Sequence, residues 1–278
     1  GKLQRGEIKL PRFQRYEAWD RQRIASLIET VIHDLPLGIT LTLEVGEKEQ
    51  FVSRYLETTT PQDKQRVLEH LLDGQQRLTA LWRTFHNNYE WETYFIYLKE
   101  FDNYDGDQDQ TDMSVFCRTR YIGKSGDKYP LWCDDPVECL KRGYIPTHLL
   151  KPEDIQSDID GWLGKATKPM EPKEGGMEAL KTFFDFQKKV SDRIKDLRSV
   201  IANYNLPYLS LPVQTDKSVA LDVFIKMNTN SKPLSQYDVI VAEVEEVKGS
   251  SLHDLQDELN TKHPEIGRYS ELPALILT

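Results

Sequence analysis

The stretch LLDGQQRLTAL, Leu71–Leu81, limits most tightly how this chain can fold. A short apolar run ends at Asp73-Gly74. From Gln76 onward the apolar residues Leu78, Leu81, Trp82 and Phe85 follow helical spacing. A change of period across a glycine predicts a strand, a sharp turn and a helix, in that order. The first turn of a helix carries unpaired N–H groups and a partial positive charge, so anions settle there. Arg77 in that turn opposes the helix dipole unless an anion offsets its charge. Gln75 and Gln76 can both donate and accept hydrogen bonds, which suits a base, a ribose or a water. Asp73 has two readings at this level. It holds a divalent ion or orients Arg77 in a working site, or it caps the helix and pairs with Arg77 in a structural one.

The flanking chain supplies regular elements. Arg23–Leu35 has helical periodicity, with Asp20 as N-cap and Pro36-Leu37-Gly38 as the stop. Ile39–Val45 alternates as a half-buried strand, and residues 50–52 are placed as a returning strand. Thr93–Leu98 reads as a strand and Met177–Tyr204 as a long helix. Leu206–Val213 reads as a short strand. Ser218–Met227 and Ser235–Val247 read as helices, the second opened by Ser235 with Asp238 three residues on. Residues 101–175, rich in Gly, Pro and Asp, read as an irregular insertion. The expected organisation is α/β (α+β): a small mixed-sheet core over 1–100, the insertion over 101–175, and a helical part over 176–278.

Two further motifs contain residues suited to a site. In LPRFQRYEAW, Leu10–Trp19, the aromatics Phe13, Tyr16 and Trp19 recur every third residue with Arg12 and Arg15 between them. Aromatic faces interleaved with guanidinium groups suit stacking on a base and pairing with phosphate. The structural alternative is a short turn that buries the rings and leaves the arginines in water. VFIKMNTNSKPLS, Val223–Ser235, reads as a helix–loop–helix corner in which Asn228 and Asn230 are turn residues.

Charge and composition exclude several classes. The chain has a net charge of -9 and a pI of about 5.3, unlike a surface coated for nucleic acid. Residues 1–25 nevertheless carry seven bases against three acids, a local net of +4, which permits a local anion site. Cys117, Cys133 and Cys139 are odd in number and widely spaced, so they read as reduced thiols of a cytoplasmic protein rather than a disulfide or zinc framework. DNYDGDQDQTD, residues 102–112, fails calcium-loop spacing. No P-loop, nucleophile elbow or dinucleotide fingerprint occurs, and no apolar run is long enough for a membrane span. The start, GKLQRGEIKL, lacks both a signal-peptide shape and an initiator methionine, so neighbouring modules are expected outside this sequence.

Taken in order, LPRFQRYEAW, LLDGQQRLTAL and VFIKMNTNSKPLS resemble the N-terminal domain of GmrSD-type modification-dependent restriction enzymes, over about residues 1–245. The Asp73-Gly74-Gln75-Gln76-Arg77 motif carries most of the resemblance. It implies a ParB/sulfiredoxin-like core and a nucleotide-binding, NTP-hydrolysing module of an anti-phage restriction system, with Mg²⁺ as cofactor. By position, it implies that Asp73, Gln76 and Arg77 are catalytic, with Asp73 acting on metal or water. Gln14, Arg15, Tyr16, Gly74, Gln75, Arg77 and Asn228 would bind the nucleotide, and Lys9 and Arg12 would contact DNA. The implied partners are a nucleoside triphosphate, double-stranded DNA carrying a modification, and an HNH-type nuclease domain or subunit. This chain departs from the family at Asn228-Thr229-Asn230-Ser231, where a glycine is usual, and shows no histidine-rich nuclease motif. The alternative is a non-catalytic sensor of modified DNA or of a partner subunit.

Overall fold

The computed structural model describes residues 1–14, 16–61, 65–103, 111–174, 176–228, 240, 241, 244 and 252–265. It is mixed α/β. The chain divides into two units, one formed by Gly1–Ala18, Gly38–Thr79 and Leu206–Thr278, the other by Trp19–Leu37 and Ala80–Asn205.

The first unit is built on a five-stranded mixed sheet. Its strands are β1 (Ile8–Pro11), β2 (Thr40–Glu44), β3 (Ser53–Arg54), β4 (Glu69–Asp73) and β10 (Tyr208–Leu211). Their order is β10-β2-β4-β1-β3, which puts β4 in the middle. It runs parallel to β1 and antiparallel to β2. A central strand is covered on both faces, and in β4 His70, Leu71 and Leu72 are all buried. Leu72 packs with Phe13, Leu41, Phe51 and, from helix α6 (Lys217–Asn228), Leu221 and Phe224. Two T-shaped ring contacts, Phe13 to Phe51 at 5.4 Å and to Phe224 at 4.9 Å, seat the first motif in this core.

The second unit contains helix α1 (Arg21–Ile32), a sheet of order β6-β5-β9, and the helices α3 (Pro136–Lys141), α4 (Gln156–Thr167) and α5 (Gly176–Asn203). Its strands are β5 (Glu92–Asp102), β6 (Met113–Thr119) and β9 (Arg142–Pro146), all antiparallel. A small hairpin joins β7 (Tyr121–Ile122) to β8 (Lys128–Tyr129). Asp20 caps α1 as expected, accepting the Arg23 N–H at 2.9 Å. Helix α2 (Gln75–His86) begins in the first unit and ends in the second.

Most elements lie where the periodicity placed them, with two differences. The stretch 101–175, read as irregular, holds β6 to β9, α3 and α4 among its described residues. Its apolar pieces are too short to show a period, and β6 and β9 become strands only by pairing with β5. The returning strand is also shorter and later than expected. Phe51 is buried in the core instead, and pairing with β1 begins at Ser53. The aspartate run at 104–110, Arg15 and the 229–239 loop lie outside the described residues, and of the helix expected over 235–247 only residues 240, 241 and 244 are described, all three helical. Cys117, Cys133 and Cys139 are free thiols, each with its pKa raised by burial. No described helix is long and apolar enough to cross a membrane.

His70 gives this core a pH dependence. It is fully buried, neither ring nitrogen has a hydrogen-bond partner among the described residues, and Glu49 lies 3.9 Å away. Burial lowers its pKa to about 4 and outweighs the opposing pull of Glu49. The unfolded chain therefore takes up this proton near pH 6.5, whereas the folded chain resists it until about pH 4. Stability is fully present above pH 6.5 and is lost as pH falls toward 4. Between pH 7 and 5 the loss from this residue is about 2 kcal/mol at ~1.4 kcal/mol per pKa unit. Urea denaturation at the two pH values should show that loss in the wild type and a smaller one in His70→Leu.

Candidate functional site at the strand-to-helix turn

Strand β4 ends at Asp73, and Gly74 turns the chain with φ of +100°. A Cβ at this position would come within 3.0 Å of Thr40 Oγ1 and 3.1 Å of its Cγ2. Both the conformation and the space therefore demand glycine. The Gly74 carbonyl accepts the Leu78 N–H at 3.0 Å, the first bond of α2.

The polar residues of the motif grip the chain around them. Arg77 donates through one terminal nitrogen to the Gly38 carbonyl, and through the other to the Ile39 carbonyl at 2.9 Å and to Asp73 at 3.0 Å. A guanidinium fork can hold several acceptors in one plane, and here it ties the start of β2 to the end of β4. Gln76 reaches the first motif, accepting the Ala18 N–H at 2.8 Å and donating to the Tyr16 carbonyl at 3.1 Å. Gln14 reaches back: its buried amide donates to the Leu71 carbonyl at 2.6 Å and more weakly to that of Leu72 at 3.3 Å. The two motifs are thus one structure, linked by reciprocal side-chain-to-backbone bonds.

The structure brings Gln14, Tyr16, Asp73, Gly74, Gln75, Gln76 and Arg77 together within the first unit. Gln75 is buried, and the Asp73 side chain remains about a quarter exposed at 23%. Arg15 is not among the described residues. Asn228 is the last residue of α6, and its side chain is likewise undescribed. Lys9 pairs with Glu49 at 2.9 Å and lies 5.2 Å from the Tyr55 ring centre. Other bases of the N-terminal stretch are also paired, Lys2 with Glu69 at 2.5 Å and Arg5 with Glu7 at 2.7 Å. The local positive charge read along the sequence is therefore offset by carboxylates, two of them from distant parts of the chain. The Arg12 N–H donates to the Val52 carbonyl at 2.8 Å, extending the β1–β3 pairing.

One contributor carries no sequence signal. Arg54, on β3, donates to the Gln14 carbonyl at 3.2 Å and stacks 4.5 Å from the centre of the Tyr16 ring. Burial lowers its pKa. It belongs to no motif, and only the pairing of β3 with β1 brings it to the site. Among the described residues no group of three His, Cys, Asp or Glu side chains is arranged to hold a metal ion. Asp73 is the one carboxylate of the turn. This suits an ion held chiefly by a ligand's phosphates and water, as Mg²⁺ commonly is.

Fold and motif together define a mixed α/β domain organised around a strand-to-helix turn. Residues 1–245 match the family model of the GmrSD restriction endonuclease N-terminal domain, and the chain belongs to that family. It is also similar to the uncharacterized protein MJ0686 of Methanocaldococcus jannaschii, 27% identical over 258 residues, which is 87% of this chain and 40% of that protein. The chain therefore spans about two-fifths of the length of this relative. Family membership ties it to a restriction system.

Replacing Gly74 by alanine should destabilise the first unit by about 2 kcal/mol or more, from the φ penalty and the contact with Thr40 together. Adding Thr40→Ala should recover only part of that loss in a denaturant titration, because the backbone penalty remains.

Proposed function

We propose that the chain is a nucleotide-binding and NTP-hydrolysing module of an anti-phage restriction system, acting on DNA through an HNH-type nuclease domain or subunit. The observation that carries the reading is the junction of the two motifs. A glycine-fixed helix start, an arginine in its first turn, a partly exposed carboxylate and an aromatic ring share one small region. Helix N–H groups and positive potential suit the phosphates. Arg77 adds its charge while its hydrogen bonds hold the turn in shape, so in this reading it positions as much as it binds. Asp73 orients the attacking water or a Mg²⁺ ion, which would neutralise charge on the transferred phosphoryl group. Tyr16, backed by Arg54, offers a face for the base. Gln14, Gln75, Gln76 and Asn228 complete the nucleotide-binding set.

The alternative is a non-catalytic sensor that binds modified DNA through Lys9 and Arg12. The ion pairs made by Lys2, Arg5 and Lys9 weigh against it, because a phosphate would first have to displace a carboxylate.

Calorimetry with ATP, GTP, CTP and UTP in Mg²⁺ tests the choice. Wild type should bind one of them selectively. Asp73→Asn should keep binding within about threefold but lose turnover by about 100-fold, near 2.7 kcal/mol of barrier. Arg77→Ala removes three hydrogen bonds and should lower the melting temperature as well as the affinity, so Asp73→Asn is the cleaner variant. If wild type binds none of the four, the nucleotide reading is wrong. DNA affinity with a steep salt dependence, lost in Lys9→Ala/Arg12→Ala, would then establish the sensor.

A further inference from the structure

The second unit contains a cleft of about 560 Å³, a size that accommodates a small organic ligand. One wall is a single face of α4, formed by Asp158, Gly161, Trp162 and Lys165 at i, i+3, i+4 and i+7. His86 and His148 stand among the other lining residues. The chemistry along the α4 wall is graded. A carboxylate stands at one end and an ammonium at the other, about 10 Å apart along the helix at 1.5 Å per residue. Lys165 has no ion-pair partner among the described residues. The second lysine of the cleft, Lys151, pairs with Glu153 at 2.8 Å. Glu153 also meets His86 at 3.3 Å, leaving Lys165 as the less encumbered cation.

Gly161 lies between the charged ends on the cleft wall, while Gly164, on the same helix with the same open surroundings, lies off it. Glycine inside a helix costs about 1 kcal/mol relative to alanine. Neither a left-handed φ nor a close neighbour explains it here, because a Cβ would meet nothing within 4 Å. At Gly161 no side chain stands in the cleft wall, and Trp162 lines the cleft beside it.

We infer that this cleft binds a flat heterocycle bearing an amino group and, about 10 Å from it, an anionic group. The amino group donates to Asp158, the ring lies over Gly161 against Trp162, and the anion meets Lys165. A nucleoside monophosphate with an exocyclic amino group has this layout, whether as a free metabolite or as a fragment of nucleic acid. The site shares no residue with the Asp73–Gly74 turn and does not depend on nucleotide hydrolysis there.

AMP, IMP and adenosine are suitable probes, because IMP replaces the amino group with an oxygen and adenosine lacks the phosphate. Calorimetry should show AMP binding about tenfold more tightly than either. Asp158→Asn should erase the preference for AMP over IMP. Lys165→Met should erase the preference for AMP over adenosine. Gly161→Leu, which raises helix propensity, should abolish binding while the melting temperature holds or rises. Gly164→Leu, on the same helix but outside the cleft lining, and Arg77→Ala, measured below its melting temperature, should both leave AMP affinity within about twofold. Absence of AMP binding to the wild type overturns the inference, as does binding that survives Gly161→Leu. Binding lost in Arg77→Ala, measured below its melting temperature, but kept in Gly161→Leu would place the nucleotide at the turn, supporting the proposed function and refuting this second site. If AMP binds, comparison with a short oligodeoxynucleotide distinguishes the two sources, since a site for free metabolite will not accept the polymer.

Discussion

The Arg77 fork is the interaction on which the first unit depends. It spans the Gly38 and Ile39 carbonyls and the Asp73 carboxylate, so the entry to β2 and the exit from β4 are held by one side chain. Two of these are backbone acceptors at an element end, where ladder bonds run out and unpaired groups are costly. The turn at Gly74 sits inside this clamp, and its geometry follows from it. A positive charge in the first turn of a helix is unfavourable by itself. It is tolerated here because three acceptors surround it, and its field still acts on whatever anion approaches.

The two glutamines extend the same logic to the first motif. Gln14 and Gln76 are amides, able to donate and accept without carrying charge into a buried setting. Gln14 secures the segment after β1 to the carbonyls of β4, and Gln76 secures Tyr16 and Ala18 to the start of α2. A phosphate-sized ligand at the turn would therefore meet a prearranged surface. Such preorganisation is the property that separates a working site from a collection of suitable side chains. Asp73 remains partly exposed within it, so the turn itself has a carboxylate accessible to solvent.

Much of this was legible along the chain. The change of period at Gly74 predicted the strand, the turn and the helix, because apolar spacing and a glycine at a left-handed position are local constraints. Asp20 as a cap and the long helix α5 were legible for the same reason. The structure contains the pair of Asp73 with Arg77, which fits both the orienting and the structural reading of the turn. Family membership was carried by the order of three motifs and the completeness of the middle one. The middle of the chain was not legible. Strands β6 and β9 acquire their identity from β5, and a strand whose partner is distant leaves little trace in a short window.

The sequence by itself determined where the turn must be, which residues flank it and which family the chain joins, since each depends on residues adjacent along the chain or on fixed motifs. Only the tertiary structure decided what those residues touch. It turned Arg77 toward carbonyls nearly forty positions away, brought Arg54 to the back of Tyr16, and paired Lys2 and Lys9 with Glu69 and Glu49. It also aligned the α4 face with a cleft whose other residues come from three separate segments. The physical reason is the same in each case. Hydrogen bonds and ion pairs are short-ranged, so the partner of a polar group is set by the sheet order and helix packing that bring distant segments within about 3 Å.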